Sequence, residues 1–398
     1  MKVVQINATC GMGSTGKICL EVSKLLTKRG IENYILYSSG YSDYPLGIKY
    51  TSDLYIKTQA LKTRLNGNYG FNSRLATKRL IAHLEKIGPD VVHLHNMHSH
   101  NCNIERLMEY LKQKHIRVFW TFHDCWAITA YCPHFTLEKC DKWETGCSEC
   151  PQRRRFSRIF DKSTELYRRK KDAAVGVDLT IITPSVWLKD IVKRSFLKEC
   201  PVKVINNGID LSVFVPNVGD FREKYQCGER FIVLGVAYRW AARKGLDVFV
   251  ELSKRLNAEK YQIVLVGTDD ATDKQLPENI ISVHHTSNQA ELAEIYTAAD
   301  VFANPTREDT FPTVNIESIA CGTPVVTFKT GGSPEIPDET CGSVVSCDDI
   351  DAMEKEIVRI CETSPYSCES CIKRAKEFDS SAKYAEYVEL YEVINGKK

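Results

Sequence analysis

The sequence predicts an α/β protein made of two doubly wound domains, each a parallel sheet covered on both faces by helices. Short Val/Ile-rich runs, apolar throughout rather than alternating, recur along the chain as in strands buried on both faces. Polar or amphipathic helical sequence follows each run. The rhythm occurs twice, and 398 residues exceed what one ordinary core holds.

In chain order, the first-half strands are expected at KVVQIN (2–7), NYILYSS (33–39), DVVHLHN (90–96), VFWTFH (118–123) and DLTIITPS (178–185). Those of the second half are FIVLGVAY (231–238), YQIVLVG (261–267), ISVHH (281–285), DVFANP (300–305) and TPVVTF (323–328). Between the halves, KVINNGIDLSVFVPNVGD (203–220) is punctuated by Asn, Gly, Pro and Asp and marks the boundary. The expected organisation is an N-terminal domain 1–205 with a Cys-rich insert 125–151, a C-terminal domain 206–375, and a helix at 376–398 packing back across the domains. After TPVVTFKTGG the chain reads as helical, with 366–394 forming one or two polar helices and no further strand.

A content of 43% hydrophobic and 26% charged residues is that of a soluble globular chain, and 53 basic against 51 acidic side chains leave +2, which gives no reason to expect nucleic acid as a partner. No apolar run approaches the ~18 residues needed to span a bilayer, and MKVVQIN lacks the length of a signal sequence. A cytoplasmic protein is expected, its sixteen cysteines mostly reduced thiols.

The most informative segment is NPTREDTFPTVNIESIACGTPVVTFKTGGSPEI (304–336): a strand, an acidic loop, a helix carrying Glu317, a stop at Gly322 and Pro324, and a second strand ending in Gly331 and Gly332. An acid at a strand end, in the crevice outside a parallel sheet, can accept hydrogen bonds from sugar hydroxyls. A second acid in the next helix can bind both hydroxyls of a ribose. The first-turn amides between them, from Phe311 through Pro312 and Thr313 to Val314, can face a diphosphate at the positive end of the helix dipole. Upstream, VLGVAYRWAARKGLDVFVELSKRL (233–256) brings a strand end to Lys244 and Gly245 at a helix start.

These two segments resemble the signature of retaining nucleotide-sugar glycosyltransferases of the large family-four group, including those of bacterial exopolysaccharide and capsule assembly of the colanic-acid type. The resemblance implies the GT-B fold: two Rossmann-like domains facing each other across a cleft. It implies that Glu317 holds the ribose, that Asp309 (or Glu308 beside it) meets the donor sugar, and that Lys244 with an arginine neutralises the donor diphosphate. The family acids stand eight positions apart, as Asp309 and Glu317 do, but the first is usually Glu. The family arginine would fall on Tyr238; Arg239, one place later, is taken for it, with Arg243 as a rival. In the N-terminal half, VFWTFHDCWAITAYC places His123 at a strand end, where family members carry a histidine near the anomeric centre, supported here by Asp124 and Trp126.

Four other features need a reading of their own. CGMGSTGKI matches G-x-x-x-x-G-K at Gly11, Gly16 and Lys17, but Ile18 cannot supply the hydroxyl that a triphosphate loop uses on Mg²⁺. The glycines, Gly13 and Gly16 among them, are instead expected to bring backbone close to the donor diphosphate or the acceptor, with Lys17 a crevice or surface cation. His93, His95, His98 and His100 crowd HLHNMHSHN; a metal pair of His93 and His95 is set aside because no third ligand is placed by spacing. Cys132, Cys140, Cys147 and Cys150, spaced C-x7-C-x6-C-x2-C, suit a structural zinc ion, with His134 able to replace one cysteine and free or oxidised thiols as the alternative. PQRRRFSRIFDKSTELYRRKKDAA (151–174) carries nine Lys or Arg among Phe156, Ile159, Phe160, Leu166 and Tyr167, either a surface for anionic lipid or a solvated face.

The expected activity is transfer of a sugar, with retention and without a catalytic metal or cofactor, from a UDP- or GDP-sugar to a saccharide hydroxyl. The acceptor is expected on a polyprenyl diphosphate at the inner membrane face, with the protein peripheral there. The displaced arginine and Asp309 keep a second reading open, a catalytically silent scaffold that binds nucleotide-sugar.

Overall fold

A computed structural model describes residues 1–395, without the side chains of Ile394 and Asn395. The described chain divides into two compact units, one of residues 1–205 with 384–395 and one of residues 206–383. Among the described residues no helix is long and apolar enough to cross a membrane.

The first unit is a seven-stranded sheet of β1 (Lys2–Asn7), β2 (Glu32–Tyr37), β3 (Gly47–Lys49), β4 (Val91–Leu94), β5 (Arg117–Thr121), β6 (Leu179–Thr183) and β7 (Val202–Val204). All pairs are parallel, in the order β3-β2-β1-β4-β5-β6-β7. β4 and β6 are buried along their whole length, which is why their sequences are continuously apolar apart from one histidine and two threonines. Helices start where a side chain can cap them: Asn103 accepts from the Arg106 N–H and Ser185 from the Leu188 N–H.

The second unit repeats the winding with β8 (Phe231–Val236), β9 (Tyr261–Val266), β10 (Ile280–Val283), β11 (Val301–Asn304), β12 (Val325–Phe328) and β13 (Gly342–Val345), in the parallel order β10-β9-β8-β11-β12-β13. Each sheet reverses its strand order once, between β1 and β4 and between β8 and β11. Ligands of such sheets sit outside the carboxyl ends of the strands at that reversal.

All ten expected strands form. Three are added, β3, β7 and β13, each short and at a sheet edge, and β13 corrects the reading of 333 onward as helical. An edge strand pairs on one side only and needs no long apolar run, so it leaves little periodic signal. The C-terminal region forms helices Cys368–Ala375 and Ser380–Asn395 joined by one 3₁₀ turn. The last is less polar in effect than its sequence: Tyr384, Tyr387, Val388 and Tyr391 lie in one cluster of the first unit's core with Val3, Val22, Phe119 and Ile182. Residues 396–398 lie outside the described residues.

Candidate functional site

In the second unit the loops after β8 and β11 are held together by few but specific contacts. Lys244 Nζ lies 2.6 Å from Asp309 Oδ2, both side chains about four-fifths buried. Asp309 Oδ1 accepts the Phe311 N–H at 3.2 Å. Arg307, beside them, pairs both guanidinium ends with Asp247 at 2.7 and 2.8 Å and with Asp348 at 2.6 Å, and donates to the Ala242 carbonyl at 2.6 Å. Its own N–H reaches the Arg243 carbonyl at 2.8 Å, so one residue ties the 305–312 loop to the 242–247 turn. The hydrogen bonds and charge of Arg307 hold the Asp247 carboxyl below the usual range.

Glycines set how closely these loops approach. Gly245 has φ +75°, and a Cβ there would stand 2.4 Å from the Pro305 carbonyl oxygen. Gly331 has φ +54°, and its Cβ would fall 1.7 Å from the carbonyl oxygen of Asp309, to which the Gly332 N–H also donates. No side chain fits at either position in this conformation.

Glu317 lies in the helix Thr313–Ala320, half-buried, and Tyr296 Oη donates to its Oε2 at 3.2 Å. Burial, with the nearby Glu317 charge, pushes the Cys321 thiol up to about 12. Pro312 stands at the N-cap, just before the first helical turn rather than in it, with Thr313 and Val314 half-buried behind it. Phe311 is buried. Glu308 is buried too, so of the two adjacent acids it is Asp309 that reaches Lys244. Arg239 is exposed in the loop after β8, near Asp269, whose carboxyl it helps lower after the hydrogen bonds of Thr272; Arg243 is half-buried in the same loop.

In the first unit Asn7, at the end of β1, accepts the Asn96 N–H at 3.2 Å and donates to the Thr9 carbonyl at 2.9 Å, joining the loops after β1 and β4. The glycine-rich turn leads into the helix Gly13–Lys28. Gly13 is exposed with φ +67°, whereas Gly16 is buried, its Cβ space filled by Thr9 Oγ1 at 2.7 Å. Lys17 is exposed. Gly16 therefore packs the turn, and Gly13 is the glycine with open space around it.

Beside this turn, a small pocket is lined by His95, Asn96, His98, His123, Asp124 and Trp126. His98 Nε2 lies 2.7 Å from Asp124 Oδ2, His98 Nδ1 3.2 Å from Tyr69 Oη, and Asp124 Oδ1 accepts the Trp126 N–H at 2.8 Å. Burial pushes the Asp124 carboxyl up, but the charge and hydrogen bond of His98 outweigh it and hold it at about 2. His123 and His95 lie near-parallel with ring centres 5.4 Å apart, and His95 and His93 pack at 4.0 Å with their planes tilted by 38°. Burial lowers His93 to about 3, His123 to about 4 and His95 well below the usual histidine range. His93 is bonded to Thr121 Oγ1 at 2.8 Å and to Tyr391 Oη, which explains its burial without a metal ligand role.

Cys132, Cys140, Cys147 and Cys150 line one cavity with Phe135 and Trp143. Burial, then the neighbouring thiols, raise Cys132 to about 12; burial raises Cys147 to about 11. Among the described residues, the one group of three or more metal-ligating side chains whose ligand atoms lie within 4.8 Å of one another is the exposed Asp270, Asp273 and His284. The four sulfurs share a cavity without closing to that distance.

Arg307 was not legible as a site residue, because it sits in a loop whose sequence reads as acidic. Its only signal is a lone cation between strand end and acids. Against this geometry, residues 15–213, half of the chain, match the family described as Glycosyltransferase Family 4. The chain belongs to Glycosyltransferase Family 4. Residues 229–363 match the description Glycosyl transferases group 1. Among curated relatives, the D-inositol 3-phosphate glycosyltransferase of Salinispora tropica is 23% identical over 270 residues, 61% of this chain and 54% of that protein. The chain thus spans about half the length of the curated relatives it matches. Among solved structures, sucrose-phosphate synthase from Thermosynechococcus elongatus superposes with a TM-score of 0.72 at 18% identity, covering 100% of both chains. Anabaena Alr3699/HepE in complex with UDP superposes with a TM-score of 0.70 at 13% identity, covering 99% of this chain and 100% of that one. The fold class is that of GT-B glycosyltransferases, two Rossmann-like domains with parallel sheets.

Proposed function

We propose that this member of the family is a retaining glycosyltransferase that moves a sugar from a UDP- or GDP-sugar to a saccharide hydroxyl. The observation that carries the reading is the Lys244–Asp309 pair at the strand reversal of the second unit, eight residues before Glu317. Glu317, oriented by Tyr296, takes the ribose hydroxyls. The first-turn amides of Thr313 and Val314 face the distal phosphate. A bound diphosphate draws Lys244 away from Asp309, leaving that carboxylate to accept hydroxyls of the donor sugar.

In the transfer, the bond from the anomeric carbon to the diphosphate oxygen breaks and a bond to the acceptor oxygen forms on the same face. The acceptor's proton passes to the departing diphosphate. Lys244 and Arg239 stabilise the charge that develops there, a task of cations aimed in advance at the leaving group. Within the first unit, His123 with Asp124 and Trp126 beside it is the candidate for contact with a sugar. Turnover with a panel of UDP- and GDP-sugars and saccharide acceptors tests this by release of free nucleoside diphosphate. No release with any pair would leave a nucleotide-sugar-binding scaffold.

Two features outside the transfer chemistry belong to the same reading. The helix Asp53–Asn66 exposes Leu61 and Leu65, and the Arg158 N–H bonds the Arg64 carbonyl at 2.9 Å, bringing the exposed Ile159 and Phe160 to that helix's end. Lys62, Arg64, Arg153, Arg154 and Arg155 surround them in sequence. Charge and apolar surface together suit anionic lipid, and so an acceptor carried on a polyprenyl diphosphate at the cytoplasmic membrane face, with the enzyme in cell-surface polysaccharide synthesis. The four-thiol set suits a structural zinc ion that would draw the sulfurs inward and release their protons. Protein purified without added zinc should carry about one ion per chain; a metal content near zero removes this assignment.

A further inference from the structure

Lys244 is rooted in a short turn and not in a helix. Ala242–Lys244 form a 3₁₀ turn, Gly245 follows in the left-handed region, and the helix Leu246–Arg255 starts only after it. A lysine stem is flexible, so where its ammonium goes depends on how firmly its root is held. The Lys244–Asp309 pair joins this turn to the 305–312 loop, but through the same side chain that a ligand anion would take over.

Arg307 joins the two independently of that pair. Of the five N–H groups of its guanidinium, one meets the Ala242 carbonyl, two the Asp247 carboxylate and one Asp348, so it grips the turn on both sides of Lys244 and anchors it to the loop after β13. Its backbone N–H and the Thr306 hydroxyl both reach the Arg243 carbonyl, at 2.8 and 3.3 Å. Thr330 Oγ1, in the loop after β12, donates to the Thr306 carbonyl at 2.6 Å. The loops after four adjacent strands are thereby linked through Thr306 and Arg307.

Burial separates this arrangement from an ordinary surface ion pair. The Arg307 side chain is 13% exposed, whereas those of Asp247 and Asp348 are 61% and 59% exposed. Exposed charge contributes little by itself; a planar fork fixed on two carboxylates and a carbonyl contributes geometry. Asp348, moreover, stands at φ +65°, a region that a residue other than glycine seldom occupies unless its surroundings hold it there.

We propose that Arg307 is a positioning residue for Lys244: fixed between Asp247 and Asp348, it holds the 242–247 turn against the 305–312 loop while the Lys244 ammonium is exchanged from Asp309 to an anionic group of a ligand. That this group is the donor's diphosphate rests on the glycosyltransferase reading; the clamp does not.

The first test needs no ligand. Backbone hydrogen exchange across residues 242–247, followed by mass spectrometry, should quicken about tenfold in Arg307→Met, the local loss of one charge-assisted hydrogen bond, while exchange in β8 stays as it was. In Lys244→Ala it should stay near the wild-type rate, because the pair with Asp309 is not what holds the turn. Wild-type exchange in Arg307→Met, or equal quickening in both variants, would overturn the clamp whatever the enzyme transfers. If Arg307→Met does not fold, Asp247→Asn, altered at an exposed carboxylate, takes its place in the same comparison.

The second test is kinetic. Arg307→Met should lower kcat about 10²-fold, the effect of misplacing a catalytic charge by about 1 Å, and Arg307→Lys, which cannot fork, should not restore it. In a Lys244→Ala background the same change should lower kcat no further. Losses that multiply would overturn the positioning role, since a group that acts apart from Lys244 lowers both backgrounds alike. Absence of turnover in the wild type with any UDP- or GDP-sugar would sink the diphosphate assignment while the exchange result stood.

Discussion

The two units wind their strands in the same order and reverse at the same place, yet they furnish that place differently. In the second unit the reversal between β8 and β11 holds an ion pair, a bracing arginine and glycines that admit no side chain. In the first, the reversal between β1 and β4 holds an open glycine turn and a column of packed histidines that burial keeps uncharged. A rigid, charged site suits a ligand group common to many donors, a diphosphate on a ribose. The first unit's site instead sets uncharged histidines beside an ionised Asp124. The same topology therefore supports two kinds of recognition through side chains at its strand ends.

The largest effect that would sharpen this contrast is on turnover. Lys244→Ala should lower kcat about 10³-fold in steady-state assays, as loss of a charge that stabilises the leaving group does. It should leave the fold intact by circular dichroism. If turnover survives within a few-fold, the second unit's pair is structural and the contrast fails.

The next effect is steric. Gly331→Ala must move the Asp309 carbonyl and should cost about 3 kcal/mol of stability in denaturant unfolding. Gly13→Ala, with φ +67° but nothing within 4 Å of the added carbon, should cost only about 1 kcal/mol. Equal costs would mean that the two turns are equally tolerant.

The third concerns protons. His93 titrates at about 3 when folded, against an ordinary value of 6.5, so below pH 6.5 the unfolded chain binds more protons and stability falls as the pH drops. At pH 4.5 this one group should cost about 2 kcal/mol relative to pH 7. His93→Gln should flatten that part of the curve in denaturant titrations. An unchanged slope would show that the column is not held neutral by burial.

The smallest is at the surface. Replacing Arg154 by Ala should weaken binding to anionic liposomes severalfold, about 1 kcal/mol for the one charge, and leave stability within about 0.5 kcal/mol. Undiminished liposome binding would reduce the basic run to a solvated face.

Much of this was legible in the sequence because the signals are local. Ten strands could be placed from apolar runs; Lys244, Asp309 and Glu317 were named from the resemblance of two loops and one helix to a family signature, and the fold brings the first two into contact. What escaped was set by contacts between distant parts of the chain. Gln5 and His95 are 90 residues apart, and nothing local in KVVQIN says that its glutamine meets a histidine. Arg307 joins Asp247 and Asp348 from either side of its own sequence position, so its role exists only once the sheet is wound. The edges β3, β7 and β13 escaped for the opposite reason, being too short to show a period. Gly16 was expected to face the ligand from spacing alone, a feature that does not distinguish an exposed glycine from one that packs against Thr9.

The central claim is that the second unit binds the nucleoside diphosphate through the pair and the helix acid. Thermal unfolding with saturating UDP and GDP, in wild type and in Glu317→Ala, tests it most directly. The account predicts a rise in melting temperature with one of the two nucleotides and its loss in the variant. A full rise in Glu317→Ala, or none with either nucleotide in the wild type, would contradict it.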